Sequence, residues 1–255
     1  MIVIEPLEGL GNRMRAINSA RALCRHLKTR CVILWKNTPL CNCRYSDLFL
    51  PDGGSWVIEG SLANRTTPFH PFFFHRRLIQ SEIGQKANDT GFFESLDPDQ
   101  RIYISTYDAF YPYREFTPFI PIPPLAERIR RITAAFGGST IGIHIRRTDH
   151  TWSTEHSPTT KFIEAMEKEI QNDPSVTFFL ATDSPKEEQV VCSRFGDRIV
   201  YRKKTFSRDS VEGMQDALVD LYCLAATRKI YASWNSSFSA IAGQINNCET
   251  IPVYE

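Results

Sequence analysis

Thr140-Ile141-Gly142-Ile143-His144-Ile145-Arg146-Arg147-Thr148-Asp149 runs from an unbroken apolar stretch straight into two arginines. A short apolar run of this kind predicts a strand buried on both faces, as in a parallel sheet covered by helices. Side chains alternate along a strand, so His144 and Arg146 share one face and Arg147 takes the other. Open parallel sheets bind ligands beyond the carboxyl ends of their strands. A cationic fork there suits a diphosphate, because a planar guanidinium grips two oxygens and its charge does not titrate. A structural ion pair with Asp149 could account for one arginine, though not for the cluster.

Outward from that strand the pattern alternates. A helix is predicted at Leu125–Phe136 before it, with a helix at Thr160–Gln171 and a strand at Thr177–Ala181 after it. Then come a helix at Pro185–Arg194, a strand at Arg198–Tyr201, a helix at Val211–Ala226 and a strand at Lys229–Ser233. Strands alternating with helices predict a parallel α/β sheet. The beginning of the chain has the same rhythm. Met1–Glu5 reads as a strand, Glu8-Gly9-Leu10-Gly11-Asn12 as a turn, Arg13–Lys28 as a helix and Cys31–Trp35 as a second strand.

Residues from Pro39 to Gln100 read as irregular, and Arg101–Ser105 as a strand. The proline-rich stretch Thr117–Pro124 can continue neither a helix nor a central strand and marks a linker. The expected architecture is therefore two Rossmann-type parallel-sheet domains facing a cleft, residues 1–120 and 121–255.

Composition narrows the function. The 255 residues carry 30 basic and 29 acidic groups, a net charge of +1, so no bulk field favours a nucleic-acid partner. Seven cysteines at irregular spacing, with an isolated Cys41-x-Cys43, read as reduced thiols and not as a zinc site. The N-terminal apolar stretch is too short for a signal or a membrane span, and a cytoplasmic location is expected. The aromatic and basic run Phe69–Arg77 reads as core packing under a long loop, or as an acceptor or peripheral membrane contact.

Three further clusters carry chemistry. The Gly9-Leu10-Gly11-Asn12-Arg13 turn lets backbone approach a ligand, and a helix start favours an anion. Met14 stands where a dinucleotide pattern needs its third glycine, which disfavours a dinucleotide cofactor. Leu180-Ala181-Thr182-Asp183-Ser184 ends a strand with an acid that either accepts hydrogen bonds from a sugar or base, or caps the following helix. Asp216 and Asp220 lie one helical turn apart. Beyond them, Trp234-Asn235-Ser236-Ser237-Phe238 sets hydroxyls and free amides at a helix start, a phosphate nest or a plain cap.

Together the GLGNR turn, the HIRRTD and LATDS strand ends and the Asp-then-SSFS block resemble the α1,6- and protein O-fucosyltransferases, including the nodulation-factor type. The resemblance covers most of residues 140–240 and the first thirty. It implies a GT-B fold, with the C-terminal half binding GDP-fucose and the N-terminal half on the acceptor side. It implies inversion at the anomeric carbon with no cofactor or metal. By that resemblance Arg146 binds the β-phosphate and supports its departure, and His144 and Asp220 hold the nucleoside. Ser236 lies by the diphosphate. The other donor-binding candidates are Gly11, Asn12, Arg13, Arg147, Asp183, Ser237 and Phe238. A base for the acceptor hydroxyl is also needed. Glu8, before the glycine turn, and Glu155, after the arginine motif, are both candidates, with Asp149 and His156 behind them. A different nucleotide-sugar donor, or an inactive nucleotide- or glycan-binding module, is the alternative.

Overall fold

Ile2-Val3-Ile4-Glu5-Pro6 forms the first strand, β1, and its three leading residues are buried. The computed structural model to which it belongs describes residues 1–51, 53–65, 73–87, 89–113, 119–148, 155–200 and 204–254. Asp149, Phe69 to Phe72, Thr117, Pro118 and Tyr201, singled out above, lie outside the described residues. By its internal contacts the chain divides into two units, Met1–Ile122 with Arg208–Met214, and Pro123–Ser207 with Gln215–Glu255.

In the first unit, β1 leads to helix α1 (Leu10–His26) and strand β2 (Cys31–Trp35). Then follow β3 (Ser55–Glu59), α2 (Gly60–Arg65), β4 (Arg76–Ile79), α3 (Gln80–Lys86), α4 (Thr90–Glu94) and β5 (Ile102–Thr106). The sheet order is β3-β2-β1-β5-β4 and every pairing is parallel. The stretch expected to be irregular thus contains two strands. Both are edge strands, with Trp56 67% exposed on one and Arg76 and Ile79 exposed on the other. Charged and exposed positions are normal on a sheet edge and erase the buried-strand pattern. The helices among them have five to seven residues, too short for a readable period. Helix α1 also starts earlier than its apolar spacing suggests, with Arg13 N–H already bonded to the Gly9 carbonyl at 3.0 Å.

The second unit begins with α5 (Pro123–Thr133) and β6 (Ile141–Ile145). It continues through α6 (Thr159–Asn172), β7 (Phe178–Thr182), α7 (Pro185–Phe195) and β8 (Ile199–Val200). Helix α8 (Val211–Ala225), β9 (Lys229–Ser233), α9 (Ser237–Asn246) and β10 (Glu249–Val253) complete it. This sheet too is wholly parallel, in the order β10-β9-β6-β7-β8.

Ile141, Ile143 and Ile145 of β6 pack with Phe162 and Met166 of α6 and with Val191 and Phe195 of α7. The even-numbered residues of β6 face the other way. A Cβ on Gly142 would meet Leu224 of α8, and His144 stacks on Phe238 of α9. Strand β10 was not legible because Glu249 and Pro252 are exposed on an edge. The chain is therefore α/β, with two parallel five-stranded sheets. Among the described residues no helix is long and apolar enough to cross a membrane.

Each sheet has a reversal in strand order. In the second unit the chain leaves β6 toward β7 and β8, then returns to place β9 on the other side of β6. Ligands of open parallel sheets bind beyond the carboxyl ends of the strands at such a reversal. Here those ends are Ile145-Arg146 and Ser233-Trp234.

Candidate functional site

The two strand ends are joined directly. The Ser233 hydroxyl accepts the backbone N–H of Arg146 at 2.9 Å. From the next strand, Asp183 reaches back to the Arg146 guanidinium, Nη1 to Oδ2 2.9 Å. Asp183 Oδ1 accepts the Arg147 N–H at 2.8 Å, and Oδ2 accepts the Thr148 hydroxyl at 2.7 Å. Burial pushes the Asp183 carboxyl up, but the Arg146 charge and these hydrogen bonds outweigh it and hold it below the usual carboxylate range.

His144 points from β6 toward α9. Its ring stacks on Phe238, and its Nδ1 is buried with no hydrogen-bond partner. Burial, helped by the charges of Arg146, Lys204 and Arg147, lowers its pKa to about 3, so the imidazole is neutral at ordinary pH. Asp220 on α8 is buried and binds Lys204 Nζ at 2.7 Å. One turn earlier Asp216 pairs with Arg128 and accepts the Thr205 N–H at 2.7 Å. The two acids therefore hold Lys204 and Thr205 against α8.

The start of α9 is open in form. Asn235 takes a left-handed backbone, φ 53°, and Ser236 is the N-cap residue but makes no side-chain cap bond. The first bond inside the helix is Ala240 N–H to the Ser236 carbonyl, 3.2 Å. The amides of Ser237, Phe238 and Ser239 precede it and have no carbonyl within the helix to bind. Such a turn attracts anions.

Two arginines expected at the ligand have other work. Arg147 does take the face opposite His144, and there it binds Glu187 at 3.1 Å, Thr159 at 3.1 Å and the Arg146 carbonyl at 2.8 Å. Its side chain is 11% exposed. Arg13 is wholly buried in the first unit. It binds the carbonyls of Glu8 and Lys36 at 2.8 and 2.7 Å and the Thr38 hydroxyl at 2.9 Å, and lies over the Trp35 ring. Each guanidinium makes three hydrogen bonds to groups of its own unit, as burial of a cation demands.

Gly11 and Asn12 lie in the first turn of α1. Glu8, just before that helix, is exposed and sits at φ 65°. Its carbonyl receives the Arg13 bond, while the helix N-cap is Gly9 and has no side-chain cap. Glu8 is therefore not the cap of this helix.

Glu155 is exposed, and its neighbours tie it to the second unit. His156 stacks on Trp234, with centroids 5.0 Å apart. The Ser157 hydroxyl donates to the Val253 carbonyl and accepts the Trp234 N–H at 2.8 Å. Ser157, Lys204 and Ser233 escaped the sequence reading. Only Ser233, closing a strand beside the serine block, gave any signal.

The one Asp-x-Asp triplet, Asp97-Pro98-Asp99, lies ahead of β5, and Asp97 Oδ1 accepts the amide of Asp99 at 2.9 Å. Among the described residues no three acidic, cysteine or histidine side chains cluster as a metal site.

No protein-family model and no curated protein matches the sequence. Solved structures do match its fold. The NodZ alpha-1,6-fucosyltransferase soaked with GDP-fucose superimposes with a TM-score of 0.70 at 22% identity, over 94% of this chain and 91% of that one. The fold is that of the fucosyltransferases. POFUT1 in complex with GDP matches at TM-score 0.62 and 11% identity, over 99% of this chain and 97% of that one. A mutant Arabidopsis thaliana FUT1 in complex with GDP gives 0.64 at 13%, over 98% of this chain and 69% of that one.

Proposed function

We propose that the chain is an inverting glycosyltransferase that moves L-fucose from GDP-fucose to a carbohydrate acceptor. The observation that carries this reading is Arg146, held by Asp183 and Ser233 at the strand-order reversal of the second sheet. The NodZ and POFUT1 structures, whose fold this chain shares, were determined with GDP-fucose or GDP. In this reading the second unit takes the donor and the first unit serves the acceptor.

Breaking the bond between fucose and phosphate leaves charge on GDP. A fixed guanidinium stabilises that charge more in the transition state than in the ground state. The open amides at Ser237 and Phe238 and the Ser236 hydroxyl add donors for the diphosphate. Neutral His144 and Asp220, which is held by Lys204, are the groups for the nucleoside. The acceptor hydroxyl needs a base, and we assign Glu8, with Glu155 as the competing candidate. The cytoplasmic placement rests on the irregular spacing of the seven cysteines, five of which are buried.

The direct test incubates the protein with GDP-fucose and a panel of labelled glycan acceptors, and follows GDP release and transfer. GDP at a hundredfold its dissociation constant should add roughly 2.7 kcal/mol of stability, with UDP and ADP adding much less. Equal shifts with UDP favour a different nucleotide-sugar donor. Arg146→Lys keeps the charge but loses the paired donors, and turnover should fall on the order of a hundredfold to a thousandfold. Transfer should survive EDTA.

A further inference from the structure

We propose that Asp183 is a positioning residue that aims the Arg146 guanidinium at the departing phosphate, and that it does not bind the sugar. The proposal rests on the GDP-fucose reading above. An ionised carboxylate offers about four lone-pair sites. Four donors already surround this one. They are Arg147 N–H at 2.8 Å, Thr148 N–H at 3.3 Å, the Thr148 hydroxyl at 2.7 Å and Arg146 Nη1 at 2.9 Å. Three of them crowd Oδ2 and the fourth sits on Oδ1, so this carboxylate is already spent mainly on the turn that carries Arg146.

The capping role is also filled by another residue. Ser184 is the N-cap of α7, and its side chain accepts the Glu187 N–H. All four donors to Asp183 come from three consecutive residues, 146–148, directly after β6. The carboxylate therefore clamps one turn, and the guanidinium is part of what it clamps.

Arg146 is then held at both ends. Ser233 of β9 fixes its backbone N–H, and Asp183 at the end of β7 fixes its head group. Arginine loses much rotamer freedom when it is ordered. Here the fold supplies that ordering before any substrate arrives, which is the condition for a donor to act in the transition state without reorganisation. The guanidinium has five N–H donors in a fixed fork, so one carboxylate contact and a phosphate can be served together.

A double-mutant cycle tests this. Asp183→Asn should lower kcat for GDP-fucose by roughly tenfold to a hundredfold, the coupling expected of groups in one network. KM for GDP-fucose and the affinity for GDP should stay within about twofold, because the lost interaction acts only in the transition state. In an Arg146→Lys background the same change should cost less than about twofold, since Asp183 acts through Arg146. Additive losses would overturn the proposal, as would a raised KM with kcat intact, the mark of direct sugar binding. Should Asp183→Asn fail to fold, Thr148→Val loosens the same carboxylate and must show the same non-additivity. A wild-type protein that releases no GDP from GDP-fucose overturns the functional reading first, and this proposal with it.

Discussion

The imidazole of His144 lies stacked on the ring of Phe238, with centroids 5.0 Å apart and planes inclined by 27°. The contact joins the end of β6 to the first turn of α9 and keeps the ring out of water. Unfolded, the residue titrates near 6.5, whereas in the fold burial holds it at about 3. Between those values the unfolded chain binds a proton that the folded chain refuses, so stability rises with pH across that window. Urea midpoints should therefore fall as pH drops from 6.5 toward 3. His144→Phe should flatten that slope, and an unchanged slope would show that His144 is protonated in the fold. Asp183 acts in the same sense, but its contribution is lost only below its unfolded value of 3.8.

Gly142 has no room for a side chain. A Cβ there would stand 2.8 Å from Thr227 Oγ1, 3.0 Å from Leu224 Cδ2 and 3.3 Å from Ile230 Cγ1. Thr227 cannot swing aside cheaply, because its hydroxyl binds the carbonyls of Leu224 and Lys229. Gly142→Ala should cost about 1–3 kcal/mol by overpacking, read from chemical denaturation. A neutral result would show that α8 shifts freely on the sheet.

Ser157 is buried and ties the residues after the arginine motif to two strand ends, through Trp234 N–H and the Val253 carbonyl. Ser157→Ala leaves both groups without that partner and should destabilise the protein by about 1–3 kcal/mol. It should also release His156 from Trp234, seen as a change in Trp fluorescence. A loss of stability with unchanged fluorescence would separate the two contacts.

What the sequence made legible follows from which signals are local. The run Ile141–Ile145 is apolar, short and followed by cations, and it is a central strand buried on both faces. The alternation that sends His144 and Arg147 to opposite sides is likewise a property of the strand alone. Edge strands β3, β4 and β10 were missed because exposure on one side removes the pattern. Arg13 and Arg147 show a deeper limit. A sequence displays a charged side chain but not which partners elsewhere occupy its donors, and Arg13 finds one of its partners 25 residues away. Asp183 is the same case in reverse. Its neighbours in sequence suggest a cap or a ligand, while its donors come from 35 to 37 positions earlier in the chain.

Glu8 provides the sharpest separation of function from structure. Its backbone sits at φ 65°, where a residue with a Cβ is strained by about 1–2 kcal/mol and glycine is not. Lys28, Asn235 and Asn247 share the left-handed conformation at helix ends, and strained backbone of this kind also clusters at functional sites. Nothing in the local packing requires a carboxylate there, since Arg13 uses the Glu8 carbonyl and the helix cap is Gly9. Glu8→Gly should therefore raise stability by up to about 1 kcal/mol while abolishing transfer. Glu8→Gln keeps the strain and the hydrogen-bonding capacity but cannot take a proton. It should bind GDP-fucose normally and lose turnover by about a hundredfold or more. Near-normal turnover in Glu8→Gln with a collapse in Glu155→Gln moves the base to Glu155. If both variants stay active, the departing phosphate itself takes the proton, and the strain at Glu8 needs another explanation.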